Sequence, residues 1–119
     1  MNCVGVDIVE IERIEAAIKK WGERFLRRIY TESELIICGG SVSSLSCRFA
    51  GKEAVMKALG TGVKGVGWRE VEILADNLGK PVVRLYGRAK DRAAELNLKE
   101  FSISLSDTRQ FAIAVVMGG

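Results

Sequence analysis

Apolar and polar residues alternate in five short stretches of this chain, and apolar residues recur every three or four positions between them. Alternation or a short apolar run predicts strands over residues 3–9, 71–75, 82–86, 101–106 and 111–116. Helical spacing predicts helices over residues 10–20, 24–29 and 87–97, and a long helix that is capped by Ser43 or Ser44 and runs to about Leu59. This order predicts an α+β fold with a mostly antiparallel sheet packed with a long helix, in a single domain over residues 1–119.

Local signals mark the boundaries of these elements. Trp21-Gly22 breaks the first helix, and Thr31-Glu32-Ser33-Glu34 matches a capping box that starts another short helix. The preferred interpretation of Glu34 is a helix-capping residue, and a functional acid is a distant second. Residues 63–69 contain two glycines and predict a loop. In the helix over residues 87–97, the side chains expected to face inward are Ala89, Ala93, Ala94 and Leu96.

The end of the long helix combines charged residues with a glycine-framed turn. Its predicted buried side consists of Phe49, Ala50, Ala54, Val55 and Ala58. The same stretch has four charged residues that cannot all lie on this side, namely Arg48, Lys52, Glu53 and Lys57. Glu53 and Lys57 are four positions apart, and Gly60-Thr61-Gly62 can end the helix and turn the chain. A carboxylate one turn from an ammonium, beside free backbone amides, suits a metal ion and a phosphate. An exposed helical ion pair, worth about 0.3–0.5 kcal/mol, explains the same spacing.

Asp7 interrupts the otherwise apolar first strand. A carboxylate among apolar neighbours is costly unless it is paired with a positive group or binds a cation. The alternative interpretation is a partly exposed strand end, or a cap for the helix that follows.

Composition excludes several classes of protein and site. A net charge of +3 is too small for a dedicated nucleic-acid binder, which leaves a basic nucleic-acid domain as a weakly supported alternative. The absence of histidine and the spacing of Cys3, Cys38 and Cys47 argue against a zinc site and a disulfide framework. No stretch approaches the roughly 20 apolar residues of a membrane span, and Asp7 and Glu10 come too early for a secretory signal. We therefore expect a cytoplasmic protein that binds neither membrane nor nucleic acid.

Three motifs, in this order and spacing, resemble one family. They are Gly5-Val6-Asp7-Ile8-Val9-Glu10, Arg48-Phe49-Ala50-Gly51-Lys52-Glu53-Ala54 and Ser104-Leu105-Ser106. The chain resembles, over nearly its whole length, the holo-[acyl-carrier-protein] synthases, the short bacterial type of 4′-phosphopantetheinyl transferase. The resemblance implies the 4′-phosphopantetheinyl transferase-like fold and transfer of the phosphopantetheine arm of coenzyme A to a serine of apo acyl carrier protein, releasing adenosine 3′,5′-bisphosphate. It also implies a magnesium requirement and a homotrimer with active sites between subunits.

The resemblance assigns roles to residues by position. Asp7 and Glu53 match the metal-binding carboxylates, and Lys57 matches the lysine that pairs with the pyrophosphate. Glu53 and Lys57 are therefore the expected catalytic residues, with Glu53 or a metal-ordered water as proton acceptor. The residues expected to bind coenzyme A are Arg48, Lys57, Gly60, Thr61, Gly62, Asp107 and Thr108. The residues expected to dock the acidic carrier protein are Arg13, Arg24, Phe25 and Arg28, although the last three also fit an ordinary amphipathic helix.

One position departs from the family pattern. The family usually has histidine after the Ser-Leu-Ser strand, in contact with the nucleotide phosphate end of coenzyme A, whereas this chain has Asp107. An anion beside a phosphate repels it unless a cation or a proton intervenes. We therefore expect weaker binding of coenzyme A or a shifted adenylate end. The alternative function is a non-catalytic relative that only binds the carrier protein or coenzyme A.

Overall fold

Strands and helices follow one another along the chain in the predicted order. The computed structural model describes residues 2–119; Met1, the first residue of the predicted domain, lies outside that range. The strands are β1 Cys3–Glu10, β2 Val71–Ala75, β3 Pro81–Leu85, β4 Phe101–Asp107 and β5 Phe111–Gly118. The helices are α1 Ile11–Trp21, α2 Glu23–Ile29, α3 Glu32–Cys38, α4 Val42–Leu59, α5 Gly62–Gly65 and α6 Gly87–Glu95. The α+β prediction is confirmed.

The strands form two antiparallel sheets instead of one. Strand β5 lies between β1 and β4 in a three-stranded sheet, and β2 pairs with β3 in a separate hairpin. Both predicted hairpins, β2–β3 and β4–β5, are therefore confirmed. The chain enters β4 from α6 and not from a tight turn after β3, so the two hairpins remain separate.

Helix α4 packs along the three-stranded sheet through small residues. Ala50 and Ala54 on the helix and Ala112 and Ala114 on β5 are completely buried. Small side chains allow a helix to approach a sheet closely, and that approach sets the separation between residues of α4 and residues of the strands. The apolar core around this contact also includes Val9, Ile14, Val55, Leu59, Ile73, Ile103 and Val116.

The buried side of α4 is wider than the pattern predicted, because it includes charged residues. The Lys52 side chain is fully buried, and its Nζ lies 2.7 Å from Oε1 of the equally buried Glu34. The same ammonium donates to the carbonyl oxygens of Trp68, at 3.0 Å, and Val71. Burial lowers the pKa of Lys52, and the Glu34 carboxylate opposes that change. Every hydrogen of this ammonium has an acceptor, which is the condition for tolerating a buried charge.

Side chains from α3 and α4 also bond the outer edge of β2. The backbone N–H of Ile73 donates to Glu34 Oε2 at 2.8 Å, and its carbonyl accepts from Arg48 Nε at 3.1 Å. Lys52 Nζ donates to the carbonyl oxygen of Val71 on the same edge. Side chains thus satisfy backbone groups that a neighbouring strand would satisfy within a larger sheet.

Most predicted helix boundaries agree with the structure. Helix α1 ends at Trp21, the capping box of Thr31 and Glu34 is present, and Gly60 is left-handed with φ of 72°. The cap of α4, however, is Ser41 and not Ser43 or Ser44, because Ser41 is extended and its Oγ accepts from Ser44 N at 3.2 Å.

Two further expectations were wrong. Residues 63–69 are not a simple loop. Helix α5 includes their first three residues, and a 3₁₀ turn over Trp68–Glu70 begins at the last two. Ala94 is exposed, because Ala89 and Ala93 lie on the inward side of α6 and the residue after Ala93 is rotated about 100° away. Leu96, just beyond the end of α6, is half-buried. Among residues 2–119, no helix combines the length and the apolar character that crossing a bilayer requires.

Candidate active site

Asp7 lies in the interior of β1 and faces α4. Its side chain is 11% exposed, and it shares the inward side of the strand with Gly5 and Val9. The cap of α1 is Glu10, so Asp7 is neither a helix cap nor a strand end. This leaves the interpretation in which the carboxylate is paired or binds a cation.

Lys57 supplies a positive partner for Asp7. Its Nζ lies 2.9 Å from Asp7 Oδ1 and donates to the carbonyl oxygen of Val6 at 3.1 Å. Lys57 therefore reaches across to β1, and among residues 2–119 its ion-pair partner is not Glu53. Because the Lys57 side chain is 55% exposed, the ammonium remains accessible to a ligand.

Glu53 completes a group of three charged side chains. Burial raises the pKa of the Glu53 carboxyl, and the adjacent Asp7 raises it further through its charge and a hydrogen bond. Lys57 and Arg13 oppose this change. Strand β1 and helix α4 thus bring two carboxyl groups, distant in the sequence, to the wall of the same cavity. Neighbouring carboxylates repel one another, and a proton or a cation between them relieves that repulsion.

This pair of carboxylates fits a magnesium ion. Within residues 2–119, no three His, Cys, Asp or Glu side chains form a group that could hold a metal by themselves. Magnesium does not need such a group, because it is bound in proteins by one or two carboxylates together with waters and substrate phosphate oxygens. Asp7 and Glu53 offer only oxygen donors, and their two negative charges repel one another in the absence of a cation. This donor set matches the preference of magnesium.

A cavity of about 250 Å³ opens beside the two acids. Arg13 and Phe25, two of the predicted carrier-docking residues, line it together with Asp7, Phe49 and Glu53. It shares Phe25 with a second cavity of about 340 Å³, which is lined by Trp21, Arg24, Phe25 and Arg28. The structure therefore places the predicted docking residues on one continuous surface next to the acids.

Trp21 belongs to this surface and was interpreted from the sequence only as a helix break. Its indole is half exposed, and the Arg24 guanidinium lies 5.9 Å from the ring centroid. Lys20 Nζ is 5.1 Å from the same ring. A signal was present in the sequence, because an aromatic residue flanked by basic residues is typical of interaction surfaces.

The residues predicted to bind coenzyme A form two groups in this chain. Gly60, Thr61 and Gly62 follow Lys57 directly at the end of α4, where the Gly60 N–H donates to the Lys57 carbonyl at 3.0 Å. Arg48 lies in the first half of α4, about 18 Å from Gly60 by the rise of the helix. The Arg48 side chain is buried, and its Nε donates to the carbonyl oxygen of Ile73 on β2. A single chain does not bring Arg48 next to Lys57.

Asp107 and Thr108 lie on the side of Arg48. The Cys47 thiol donates to the carbonyl oxygen of Ser106 at 3.8 Å, which places the adjoining Asp107 beside the first half of α4. Burial, and then the Asp107 carboxylate, raise the pKa of Cys47 to about 11. Asp107 itself is exposed. Thr108 Oγ1 accepts from the N–H of Phe111 at 3.0 Å and shapes the turn between β4 and β5.

Comparison with known proteins identifies the family. Residues 3–116 match the model of the 4′-phosphopantetheinyl transferase superfamily. A holo-[acyl-carrier-protein] synthase of Herpetosiphon aurantiacus is 48% identical over 125 residues, covering 99% of this chain and 98% of the relative. One of Dehalococcoides mccartyi strain CBDB1 is 50% identical over 117 residues, with 98% of each chain covered. The crystal structure of Helicobacter pylori holo-[acyl-carrier-protein] synthase in complex with coenzyme A has a TM-score of 0.90 and 35% identity, covering 98% of this chain and 99% of the other. This chain belongs to the 4′-phosphopantetheinyl transferase superfamily.

Proposed function

We propose that this chain is a holo-[acyl-carrier-protein] synthase, which transfers the 4′-phosphopantetheine arm of coenzyme A to a serine of apo acyl carrier protein. The observation that carries the proposal is that Asp7 and Glu53 line one cavity, while Lys57 forms an ion pair with Asp7. Two relatives that cover nearly the whole chain at 48% and 50% identity are named as enzymes of this activity. The second product is adenosine 3′,5′-bisphosphate.

The reaction requires one group that accepts the proton of the serine hydroxyl and a positive group that stabilises the negative charge of the phosphates. The serine oxygen attacks the β-phosphorus of coenzyme A, the bond from that phosphorus to the bridging oxygen breaks, and the electron pair leaves with adenosine 3′,5′-bisphosphate. Glu53 is suited to accept the serine proton at its carboxylate, because burial raises the pKa of that group. Lys57 is accessible and can pair with the pyrophosphate, while Asp7 holds the Lys57 ammonium in place.

We propose a magnesium requirement on the same residues. The carboxylates of Asp7 and Glu53 would hold the ion, which when bound would neutralise phosphate charge. Support comes from the all-oxygen donor pair and from the effect of Asp7 on the pKa of Glu53. The Gly60-Thr61-Gly62 turn adjoins Lys57 and would present backbone amides to phosphate oxygens.

The test of the function is a mass measurement on the carrier protein. The purified chain is incubated with magnesium, coenzyme A and apo acyl carrier protein, and the carrier is then weighed by mass spectrometry. We expect a gain of one phosphopantetheine arm, and no gain when the apo carrier has its acceptor serine replaced by alanine. Binding of coenzyme A without any gain in mass would favour the non-catalytic alternative and overturn the proposed activity.

Asp107→His is expected to lower the KM for coenzyme A by up to about fivefold, because exposed charge interactions contribute about 1 kcal/mol or less. The substitution removes an exposed anion at the position where the family usually has histidine. Initial rates at varied coenzyme A measure the effect. Asp91→His, on the exposed surface of α6, is the matched control and should leave KM unchanged. An unchanged KM for Asp107→His would reject the proposed contact.

We propose that the chain forms a homotrimer through an apolar sheet face. This face is the outward side of the β1–β5 pair and consists of Val4, Val6, Ile8, Ile113, Val115 and Met117, all at least 36% exposed. The residues oppose one another directly as Val4 with Met117, Val6 with Val115 and Ile8 with Ile113, so the patch is continuous. Contiguous exposed apolar surface of this kind is typical of protein interfaces. Because the resemblance implies active sites between subunits, we expect Arg48 and Asp107 of one copy to lie beside Lys57 of the next.

Val6→Asp is expected to convert the trimer into monomers, because it places a carboxylate at the centre of the apolar sheet face. Sedimentation velocity measures the oligomeric state of the variant and the wild type. Val82→Asp on β3 introduces the same change at an exposed valine outside this face and should leave the trimer intact. A wild-type chain that sediments as a monomer would contradict the proposal.

We also propose a cytoplasmic location. Cys3, Cys38 and Cys47 are all free thiols, and burial raises the pKa of both Cys38 and Cys47. Free thiols persist in reducing compartments. Fractionation of cells that express the tagged chain tests the location.

A further inference from the structure

Strand β1 touches helix α4 backbone to backbone at Gly5. A Cβ atom built on Gly5 would lie 1.9 Å from the carbonyl oxygen of Ala54 and 3.0 Å from the backbone nitrogen of Ala58. Contacts of a Cβ under 3.0 Å are essentially never seen in proteins. Since both opposing atoms belong to the helix backbone, no side-chain rotation can make room.

This contact lies at the point where the two elements carry the site. Gly5 and Asp7 are on the same inward side of β1, two positions apart. On the helix, Ala54 directly follows Glu53 and precedes Lys57 by three positions. Lys57 Nζ also donates to the carbonyl of Val6, the residue after Gly5. The separation between strand and helix at Gly5 therefore governs the distances within the site.

We propose that Gly5 is a positioning residue for the carboxylate pair, acting by its lack of a side chain. This inference rests on the proposed function, in which Asp7 and Glu53 hold a divalent cation. A methyl group at position 5 would push β1 away from α4 by about 1 Å, and a displacement of about 1 Å within a catalytic site can lower the rate about 100-fold. Asp7 would move with β1, whereas Glu53 and Lys57 would stay with α4.

Gly51 offers a matched control on the same helix. A Cβ at Gly51 would meet the ends of side chains, with Ile73 Cδ1 at 2.4 Å and Ile103 Cδ1 at 3.2 Å. Such atoms can move by rotation of their own side chains. Gly51→Ala therefore adds the same methyl group to the buried interior without forcing β1 away from α4.

The experiment measures binding of Mn²⁺, a spectroscopic substitute for Mg²⁺, by electron paramagnetic resonance in the absence of coenzyme A. We expect Gly5→Ala to weaken Mn²⁺ binding about tenfold or more and to lower kcat about 100-fold, with Gly51→Ala within about twofold of wild type in both. Lengthening the carboxylate with Asp7→Glu should weaken Mn²⁺ binding in the wild-type chain. In the Gly5→Ala chain the same change should recover part of the lost affinity, because the longer side chain spans the widened gap.

The outcomes separate this inference from the function on which it rests. A wild-type chain that binds no Mn²⁺, either alone or with coenzyme A present, rejects the metal site itself. A wild-type chain that binds Mn²⁺, together with a Gly5→Ala chain that binds it equally well, rejects only the role of Gly5. A Gly5→Ala chain that does not fold also overturns the inference, because Gly5 would then serve the whole core. Recovery by Asp7→Glu supports positioning, since a loss of stability alone would not be reversed by a longer carboxylate.

Discussion

Replacing Lys52 with methionine is expected to lower the free energy of unfolding by about 3–5 kcal/mol. The change keeps an unbranched side chain, one atom shorter, but leaves the fully buried Glu34 carboxylate without its cation. It also removes the donor to the carbonyl oxygens of Trp68 and Val71, and an unpaired buried polar group costs about 1–3 kcal/mol. Because domains of this size are stable by about 5–15 kcal/mol, the variant should unfold at a much lower denaturant concentration.

Urea unfolding followed by circular dichroism measures this change. Lys90→Met makes the same substitution at an exposed position of α6 and is expected to alter stability by about 0.5 kcal/mol or less. Adding Glu34→Gln to Lys52→Met neutralises the unpaired carboxylate while keeping an acceptor for the backbone, and should recover part of the loss. A Lys52→Met protein as stable as wild type would contradict the importance of the buried ion pair.

Replacing Glu53 with glutamine is expected to reduce kcat about 10²- to 10⁴-fold. Glutamine keeps the shape of the side chain but cannot accept the proton of the carrier serine or provide charge for a cation. Stability should not fall with activity, because burial and the neighbouring Asp7 both disfavour a charge on Glu53 in the folded protein. The variant is therefore expected to be folded and inactive.

Initial rates of carrier modification at saturating coenzyme A and magnesium measure the loss, and thermal unfolding checks the fold. The control is Glu95→Gln, which removes an exposed carboxylate on α6 and should leave kcat unchanged. A Glu53→Gln enzyme that retains most of its activity would remove Glu53 from the mechanism.

Lys57→Met is expected to lower kcat about 10²- to 10³-fold in the same assay, because the ammonium no longer stabilises the charge on the phosphate.

The order and type of the main elements were predictable because their periods are visible in the sequence. Residues 101–106 alternate strictly, and the hairpin of β4 and β5 forms as expected. Gly60 ends α4 because glycine adopts the left-handed conformation without steric cost. Residues 63–69 were misjudged because two glycines in seven residues do not prevent short helical turns.

The charged residues of α4 were harder to predict, since their partners come from other elements. Helical spacing joins Lys57 to Glu53, but the structure pairs Lys57 with Asp7 on β1. Lys52 was not expected to be fully buried, because its partner Glu34 lies on a different helix. Glu34 was correctly interpreted as a cap, yet the same carboxylate also neutralises Lys52. The resemblance to a family linked Asp7 with Glu53, whereas periodicity alone considered each acid separately.

The side chains along the outer edge of β2 have a consequence for association between molecules. An unbonded strand edge can pair with an extended segment of another chain, which is a common route to aggregation. In this chain Glu34, Arg48 and Lys52 bond backbone groups of Val71 and Ile73 that such a segment would need. The β2–β3 hairpin is thereby protected from strand addition on this side.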